Sequence, residues 1–382
     1  MIYLDYAATS FPKAPGVGDA MKMFMETSAG NPGRSGHNLS IAASKLLYDV
    51  REALSYLFNL SNVEKVILTY NATYALNISF NMLLKPGDTV VTSSMEHNAV
   101  MRPLRALEQK GINLDVVPNN PDGTTDLAGF KSEITEKTKL VVVNHASNII
   151  GIIQPIREIG KIAHEHGALF LVDSAQTAGV LPIDMQKDNI DLLVFTGHKG
   201  LHGPTGTGGL LINDSVDIDS LEPFILGGTG SRSEEECQPV YMPDKLESGT
   251  HNTIGFAGLL HAIEFIKEKG IDEIYKYEMA LTQRLFAGLS EIPEIKIYGN
   301  KDITLRTAVI SINIEGKTCS DVGDILNNEY GIMTRIGLHC APSAHKTLGT
   351  FPHGTVRLAP GLFTTEKDIE DAITALKKIS EM

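Results

Sequence analysis

The sequence predicts an α/β fold, in which a large, mostly parallel sheet covered by helices is followed by a smaller α+β domain. Between about residues 60 and 215, short apolar segments alternate with helical stretches, a pattern typical of parallel sheets. After Gly255 this alternation gives way to long helices and one alternating strand. Polar or glycine-rich bends follow several apolar segments, at the strand ends where such sheets bind ligands.

The predicted elements follow one another in a simple order. Strands are predicted at 66–69, 90–92, 140–143, 169–172 and 192–195, with helices through Leu84, up to Lys110, and over 155–166. Turns and glycines such as Gly87, Gly111 and Gly167 end these helices. Further on, helices are predicted at 254–269, near 320–330 and at 365–379, with a strand over 307–312. We therefore assign residues 15–255 to the large domain, and residues 1–14 and 256–382 to the small one.

Composition and charge narrow the class of protein. The chain of 382 residues is 42% hydrophobic and 21% charged, as in ordinary globular enzymes. Its net charge of −13 argues against nucleic acid or an anionic membrane as a partner. The N-terminal residues lack the basic region and apolar core of a signal peptide, and no apolar run is long enough to cross a membrane. Three cysteines without paired spacing predict neither disulfides nor a metal site, and fit a reducing cytoplasm.

The most informative segment is the glycine-rich bend at 196–206, which contains Lys199 directly after a predicted buried strand. A lysine amine removed from water has a lowered pKa and can form an imine with an aldehyde. Asp173 ends the preceding predicted strand. Such a lysine, with an aspartate to hold a pyridinium nitrogen, is what pyridoxal 5'-phosphate (PLP) requires. A single lysine at a strand end is more often structural, but the ordered pair favours a PLP site.

Other polar residues follow neighbouring predicted strands. Ala72 and Thr73 open a helix, whose free N–H groups and dipole can bind phosphate. His97 could stack on a ring and move protons, while Asn148 and Gln176 could bond a phenolic oxygen, and Asn148 also a substrate carboxylate. Each also has a structural explanation, as a helix cap, a surface histidine or a turn residue. Together they favour one site, because they occupy successive strand-end loops of one sheet.

These residues resemble the class V aminotransferase-like branch of fold-type I PLP enzymes, and within it the group II cysteine desulfurases. The resemblance extends over nearly the whole chain. It is carried by Leu4-Asp5-Tyr6-Ala7-Ala8-Thr9, Asn31-Pro32-Gly33-Arg34-Ser35-Gly36-His37, Glu96-His97, Val172-Asp173-Ser174-Ala175-Gln176, Gly197-His198-Lys199 and Ser248-Gly249-Thr250.

The resemblance implies a role for each matching residue. Lys199 would bind PLP covalently, Asp173 would hold the pyridine nitrogen, and His97 would stack on the ring. Thr250 would reach the phosphate from the other subunit, which implies a homodimer with shared active sites. The cofactor contacts implied in full are Ala72, Thr73, His97, Asn148, Asp173, Gln176, Thr196, His198, Lys199 and Thr250.

The segment from Thr334 to Pro342 resembles the one that carries the sulfur-accepting cysteine in group II desulfurases. It implies that Cys340 is the nucleophile, and its setting in a polar loop favours an accessible thiolate over a buried apolar residue. Cys237 and Cys319 have no such setting. The substrate contacts implied are Arg357, as a planar clamp for a carboxylate, with Arg335, Asn148 and Ala8.

The activity implied is conversion of L-cysteine to L-alanine, with a persulfide left on Cys340 for an acceptor protein or for release as sulfide. Selenocysteine lyase and class V aminotransferase are the alternatives, and the Lys199–Asp173 pair argues against a third, a non-catalytic PLP-binding or sulfur-relay scaffold. The pathway served, whether iron–sulfur cluster assembly, thiolation or selenium metabolism, stays open. The segments at 71–77 and 343–349 depart from the family pattern.

Overall fold

The computed structural model describes residues 1–33, 36–232 and 234–382. Arg34 and Ser35 of the family motif, and Ser233 of the predicted loop after Gly227, lie outside the described residues. The first elements are β1 (Ile2–Tyr3), α1 (Val17–Thr27) and α2 (Asn38–Phe58). The alternating part comprises β2 (Val66–Thr69), α3 (Ala72–Leu83), β3 (Thr89–Ser93), α4 (Asn98–Glu108), β4 (Asn113–Val117), α5 (Leu127–Glu133), β5 (Thr138–Asn144), α6 (Ile156–Glu165), β6 (Leu169–Asp173), β7 (Leu192–Thr196) and β8 (Gly208–Ile212).

The C-terminal part is built from longer helices and short strands. Its elements are α7 (Thr253–Lys269), α8 (Ile271–Ser290), β9 (Ile295–Ile297), β10 (Ile310–Ile314), α9 (Cys319–Tyr330), β11 (Ile332–Met333), β12 (Arg335–Gly337), α10 (Pro342–Thr347), β13 (Thr355–Leu358) and α11 (Glu366–Glu381).

The large sheet has seven strands in the order β2-β8-β7-β6-β5-β3-β4. Only β8 runs antiparallel to its neighbours, so the other six strands point the same way. One face packs on α2, α5, α6 and α7, with Phe58 and Phe256 in that core, and the other face packs on α3 and α4. The continuous apolar strands reflect burial on both faces, and the predicted fold class is confirmed.

The small sheet is antiparallel, in the order β12-β13-β10-β9, and shares a core with α8, α9 and α11. The N-terminal strand β1 pairs in parallel with β11, and Asp5 bridges to Ala359, so the first residues pack with the C-terminal elements. Helix α7, in contrast, packs against α1 and α2 and supplies Phe256 to the large core. The domain division at residue 255 stays a prediction.

The structure corrects two details of the C-terminal part. Helix α8 and strand β9 were not predicted, because α8 follows α7 after the single residue Gly270. The strand predicted at 307–312 begins at Ile310 instead. Thr307 donates its N–H to the carbonyl of Gly151 at 2.9 Å, so this stretch pairs with the loop that follows β5 before it joins the small sheet.

Candidate active site

The carboxyl ends of β2, β3, β5, β6 and β7 surround one pocket of about 180 Å³. Parallel strands place these ends along a single sheet edge, which is why residues far apart in sequence meet there. Nine of the ten predicted cofactor contacts line it, and Asn71, Ala99, Asn144, Ala146 and Ala175 complete the lining. Thr250, the tenth, is exposed in the loop before α7.

Lys199 lies three residues beyond the end of β7, in the bend that the sequence indicated. Burial lowers the pKa of its amine to about 8, although the nearby Asp173 carboxylate acts in the opposite direction. Asp173 ends β6 beside Asn144 of β5. Burial raises the pKa of Asp173, while the Ala175 N–H, which donates to its Oδ1 at 2.9 Å, acts against that rise. The pocket therefore holds a partly desolvated amine and an acidic group on adjacent strands.

One end of the pocket is suited to an anion. Helix α3 begins at Ala72, and its N-cap Asn71 accepts the N–H of Tyr74 at 2.9 Å. A side chain at Gly208 would lie 2.7 Å from the Cα of Asn71, so this glycine lets β8 approach the start of α3 closely. The hydroxyl of Thr196 is buried and has no hydrogen-bond partner among the described residues. A helix N-terminus beside an unpaired hydroxyl fits a phosphate group.

His97 is the N-cap of α4, where its Nδ1 accepts the N–H of Ala99 at 3.0 Å. Burial, with a further contribution from the positive charge of Lys199, lowers the pKa of His97 to about 4. The imidazole is therefore neutral at pH 7, and its ring contributes to the pocket wall. A neutral ring fixed by its own helix cap suits stacking on an aromatic cofactor.

The loop before His97 is tied down by two residues whose local contacts the sequence did not reveal. Glu96 is fully buried, accepts hydrogen bonds from the Ser93 hydroxyl at 2.6 Å and the Asn144 N–H at 2.9 Å, and has its pKa raised to about 8 by burial. Asn144 donates from Nδ2 to the carbonyl of Met95 at 2.6 Å. Asn144 is a polar residue at the end of β5, as Asp173 is at the end of β6. The criterion that identified Asp173 in the sequence could therefore also have identified Asn144.

The two predicted substrate-binding arginines are cross-strand neighbours, Arg335 on β12 and Arg357 on β13. Arg357 is buried and donates to Asp5 Oδ1 and to the carbonyl of Asn148, both at 2.9 Å. Its Nε has no partner among the described residues. Arg335 is 47% exposed and lies 3.7 Å from Asp5. Ala8 is partly buried and donates its N–H to the Asp5 carbonyl at 3.0 Å.

Cys340 is exposed, as its setting predicted. It adopts a left-handed conformation with φ of 56°, just before α10. Its carbonyl accepts the N–H of Asn98 at 2.7 Å, and the neighbouring carbonyl of His339 accepts Nδ2 of Asn148 at 2.7 Å. The Cys340 loop is therefore anchored to the start of α4 and to the Asn148 loop, and Cys340 lies within electrostatic range of Lys199.

The donor set fits PLP. Lys199 offers an amine for the aldehyde, Asp173 an acidic partner for the ring nitrogen, and the start of α3 with Thr196 a site for the phosphate. No cluster of three metal-ligating side chains occurs among the described residues. Within the same part of the chain, no helix is long and apolar enough to span a membrane.

Comparison with known proteins identifies the family. The model of the aminotransferase class-V family matches residues 2–371, and the chain belongs to this family. A probable cysteine desulfurase of Methanothermobacter thermautotrophicus is 35% identical, with 100% of this chain and 95% of the relative covered. A cysteine desulfurase of Shigella flexneri is 33% identical, with 100% and 94% covered. The apo structure of a cysteine desulfurase from Thermococcus onnurineus NA1 matches with a TM-score of 0.93 at 32% identity, covering 100% of this chain and 94% of that one.

Proposed function

We propose that this protein is a PLP-dependent cysteine desulfurase that converts L-cysteine to L-alanine and leaves a persulfide on Cys340. The observation that carries the proposal is the loop of the exposed Cys340, hydrogen-bonded to the rim of a pocket that contains Lys199 and Asp173. The matches to cysteine desulfurases across the whole chain support it. The same matches favour this activity over a selenocysteine lyase or an aminotransferase.

The pocket residues hold and orient the reactants. When bound, PLP supplies an electrophilic aldehyde and a ring that accepts electrons. Lys199 would bind it covalently and Asp173 would hold its ring nitrogen, while His97 would pack on the ring. Thr73, Thr196 and His198 bind the phosphate, with the N–H groups at Ala72, and Gln176 contacts the phenolic oxygen.

Substrate binding places L-cysteine between Lys199 and Cys340. Arg357 binds the carboxylate, helped by Arg335, Asn148 and Ala8. The lowered pKa of Lys199 leaves part of its amine neutral near pH 7.5, so that this amine can accept the Cα proton of the substrate.

Sulfur transfer then takes place at the exposed loop. The thiolate of Cys340 attacks the substrate Sγ, so that an S–S bond forms as the Cβ–Sγ bond breaks. The electron pair of the broken bond stays on carbon, and protonation of Cβ, with return of a proton from Lys199 to Cα, gives L-alanine. The persulfide on Cys340 passes its outer sulfur to an acceptor protein, or a small thiol reduces it to release sulfide. The positive φ of Cys340 presents its side chain on the surface, where an acceptor can reach it.

We further propose that the protein is a cytoplasmic homodimer with two shared active sites. Each subunit would consist of a large domain at 15–255 and a small domain at 1–14 and 256–382. Thr250 would complete the phosphate site of the partner subunit, and its exposure in its own chain supports this. Leu226 and Val240, in the loops before it, are also strongly exposed for apolar residues, as expected of a surface covered on assembly. An acceptor in iron–sulfur cluster assembly fits the chemistry.

The test measures alanine and sulfide formation from L-cysteine, with and without a thiol reductant. The Cys340→Ser variant should keep its bound PLP and yellow colour but lose turnover. Cys237→Ser is the matched control, since Cys237 is also an exposed cysteine, and it should retain full activity. Undiminished sulfide release by Cys340→Ser would refute the proposal. Selenide release from selenocysteine by a wild-type protein that releases no sulfide from L-cysteine would identify a lyase, and turnover dependent on a keto acid would identify an aminotransferase.

A further inference from the structure

One backbone carbonyl beside the pocket is surrounded by hydrogen-bond donors from the N-terminal segment. The oxygen of His198 lies 2.9 Å from the N–H of Ser10, 3.0 Å from Nζ of Lys13, 3.0 Å from the hydroxyl of Thr9 and 3.1 Å from that of Ser10. A carbonyl oxygen has two lone pairs, so four donors within reach more than satisfy it. This carbonyl belongs to the peptide that joins His198 to Lys199.

Thr9, Ser10 and Lys13 form a clamp on the peptide next to Lys199, the residue that binds PLP in the proposed function. A peptide group is planar, so holding the carbonyl of His198 also fixes the N–H of Lys199 and the direction in which its Cα leaves. The other side of the bend is held too, because His202 donates its N–H to the Lys199 carbonyl at 2.9 Å. Both peptides that flank Lys199 are therefore fixed, one of them by a segment nearly 190 residues away in sequence.

Lys13 is an unusual component of this clamp. Its ammonium is within hydrogen-bond distance of three neutral oxygens: the His198 carbonyl, the Thr9 hydroxyl at 3.2 Å and the Ser10 hydroxyl at 3.1 Å. No carboxylate of the described residues forms an ion pair with it, and burial lowers its pKa to about 8. A half-buried cation without a counter-ion is costly. The arrangement is explained if Lys13 orders the bend next to it.

We propose that Lys13 is a positioning residue, whose ammonium, with Thr9 and Ser10, locks the His198–Lys199 peptide and so orients Lys199 toward bound PLP. This inference depends on the proposed function only in that PLP binds Lys199. Because Lys13 acts through another residue, its loss affects the orientation of the cofactor and the chemical step more than substrate binding.

The test compares Lys13→Met with Lys13→Arg, and with Lys22→Met as a control for loss of an exposed lysine in α1. Borohydride reduction and peptide mapping first establish that PLP is attached to Lys199 in every variant. Lys13→Met should then lower kcat about tenfold, as expected for loss of a charged hydrogen bond near the reacting group, with KM changed less than about twofold. Visible circular dichroism per bound PLP should fall by about half or more. Lys13→Arg should recover most of both signals, and Lys22→Met should match the wild type.

Wild-type circular dichroism and kcat in Lys13→Met would overturn the inference, as would an equal loss in Lys22→Met. If Lys13→Met does not fold, Lys13→Gln, which keeps a donor without the charge, carries the same expectations. The circular dichroism needs only bound PLP. It therefore decides the role of Lys13 even if the wild-type protein releases no sulfide from L-cysteine, a result that would refute the proposed function alone.

Discussion

The lowered pKa of Lys199 makes a quantitative prediction about how apo protein captures PLP. Only the neutral amine attacks an aldehyde, and at pH 7.5 an amine with a pKa of about 8 is roughly 24% neutral. A lysine at its ordinary value of 10.5 would be about 0.1% neutral at that pH. Burial at the end of β7 therefore raises the neutral, reactive fraction of the amine roughly 240-fold at this pH. The advantage becomes small near pH 10.5, where an ordinary lysine is itself half neutral.

Stopped-flow absorption of apo protein mixed with PLP, between pH 6 and 10, measures this effect. The rate constant should rise with pH and level off above about 8, because the amine is then mostly neutral. N-acetyl-lysine methyl amide is the reference, and its rate should keep rising beyond pH 9.5. Lys199→Ala should show no fast phase.

Asp173→Asn tests the charge that opposes the lowered pKa of Lys199. The Asp173 carboxylate raises the pKa of Lys199 against the larger effect of burial. Removing its negative charge should therefore move the midpoint of the capture profile below 8, not above it. A wild-type rate that climbs without levelling through pH 9.5 would refute the reasoning from desolvation, and a midpoint that rises in Asp173→Asn would refute the opposing effect of the carboxylate.

Two further predictions concern stability and substrate binding. Arg51→Met should lower the free energy of unfolding by about 3 kcal/mol, because it leaves the buried carboxylate of Glu247 without its arginine partner. Urea unfolding measures this loss. The control Lys45→Met breaks an exposed ion pair on the same helix and should shift the unfolding midpoint far less. Arg357→Lys should raise KM for L-cysteine about tenfold or more at unchanged PLP content, because lysine cannot bond Asp5 and a carboxylate as a planar fork. A loss in Lys45→Met equal to that in Arg51→Met, or an unchanged KM in Arg357→Lys, would contradict these assignments.

Much of the candidate site was predictable because parallel strands share one direction. Asp173 and Lys199 each follow an apolar strand, and this local pattern alone indicated that they belong to one sheet edge. Asn144 carries the same signal and was missed, because a polar residue at a strand end is common. The hydrogen bonds of Glu96 and the clamp around Lys13 have no local signature. Their roles depend on contacts with other elements, which spacing along the chain does not encode.

The amino-acid sequence by itself determined the order of strands and helices, the acidic charge, and the residue types at the strand ends. Hydrophobic periodicity and turn residues act over a few positions, so they can be recognised without a structure. Only the tertiary structure decided that Asp5 meets Arg357, 352 residues later, and that the Cys340 loop is hydrogen-bonded to Asn98 at the start of α4 and to Asn148. The physical reason is that these contacts depend on strand order, on register and on the pairing of the N-terminal strand with the C-terminal elements. The same local sequence pattern is compatible with many tertiary arrangements, so it does not specify these contacts.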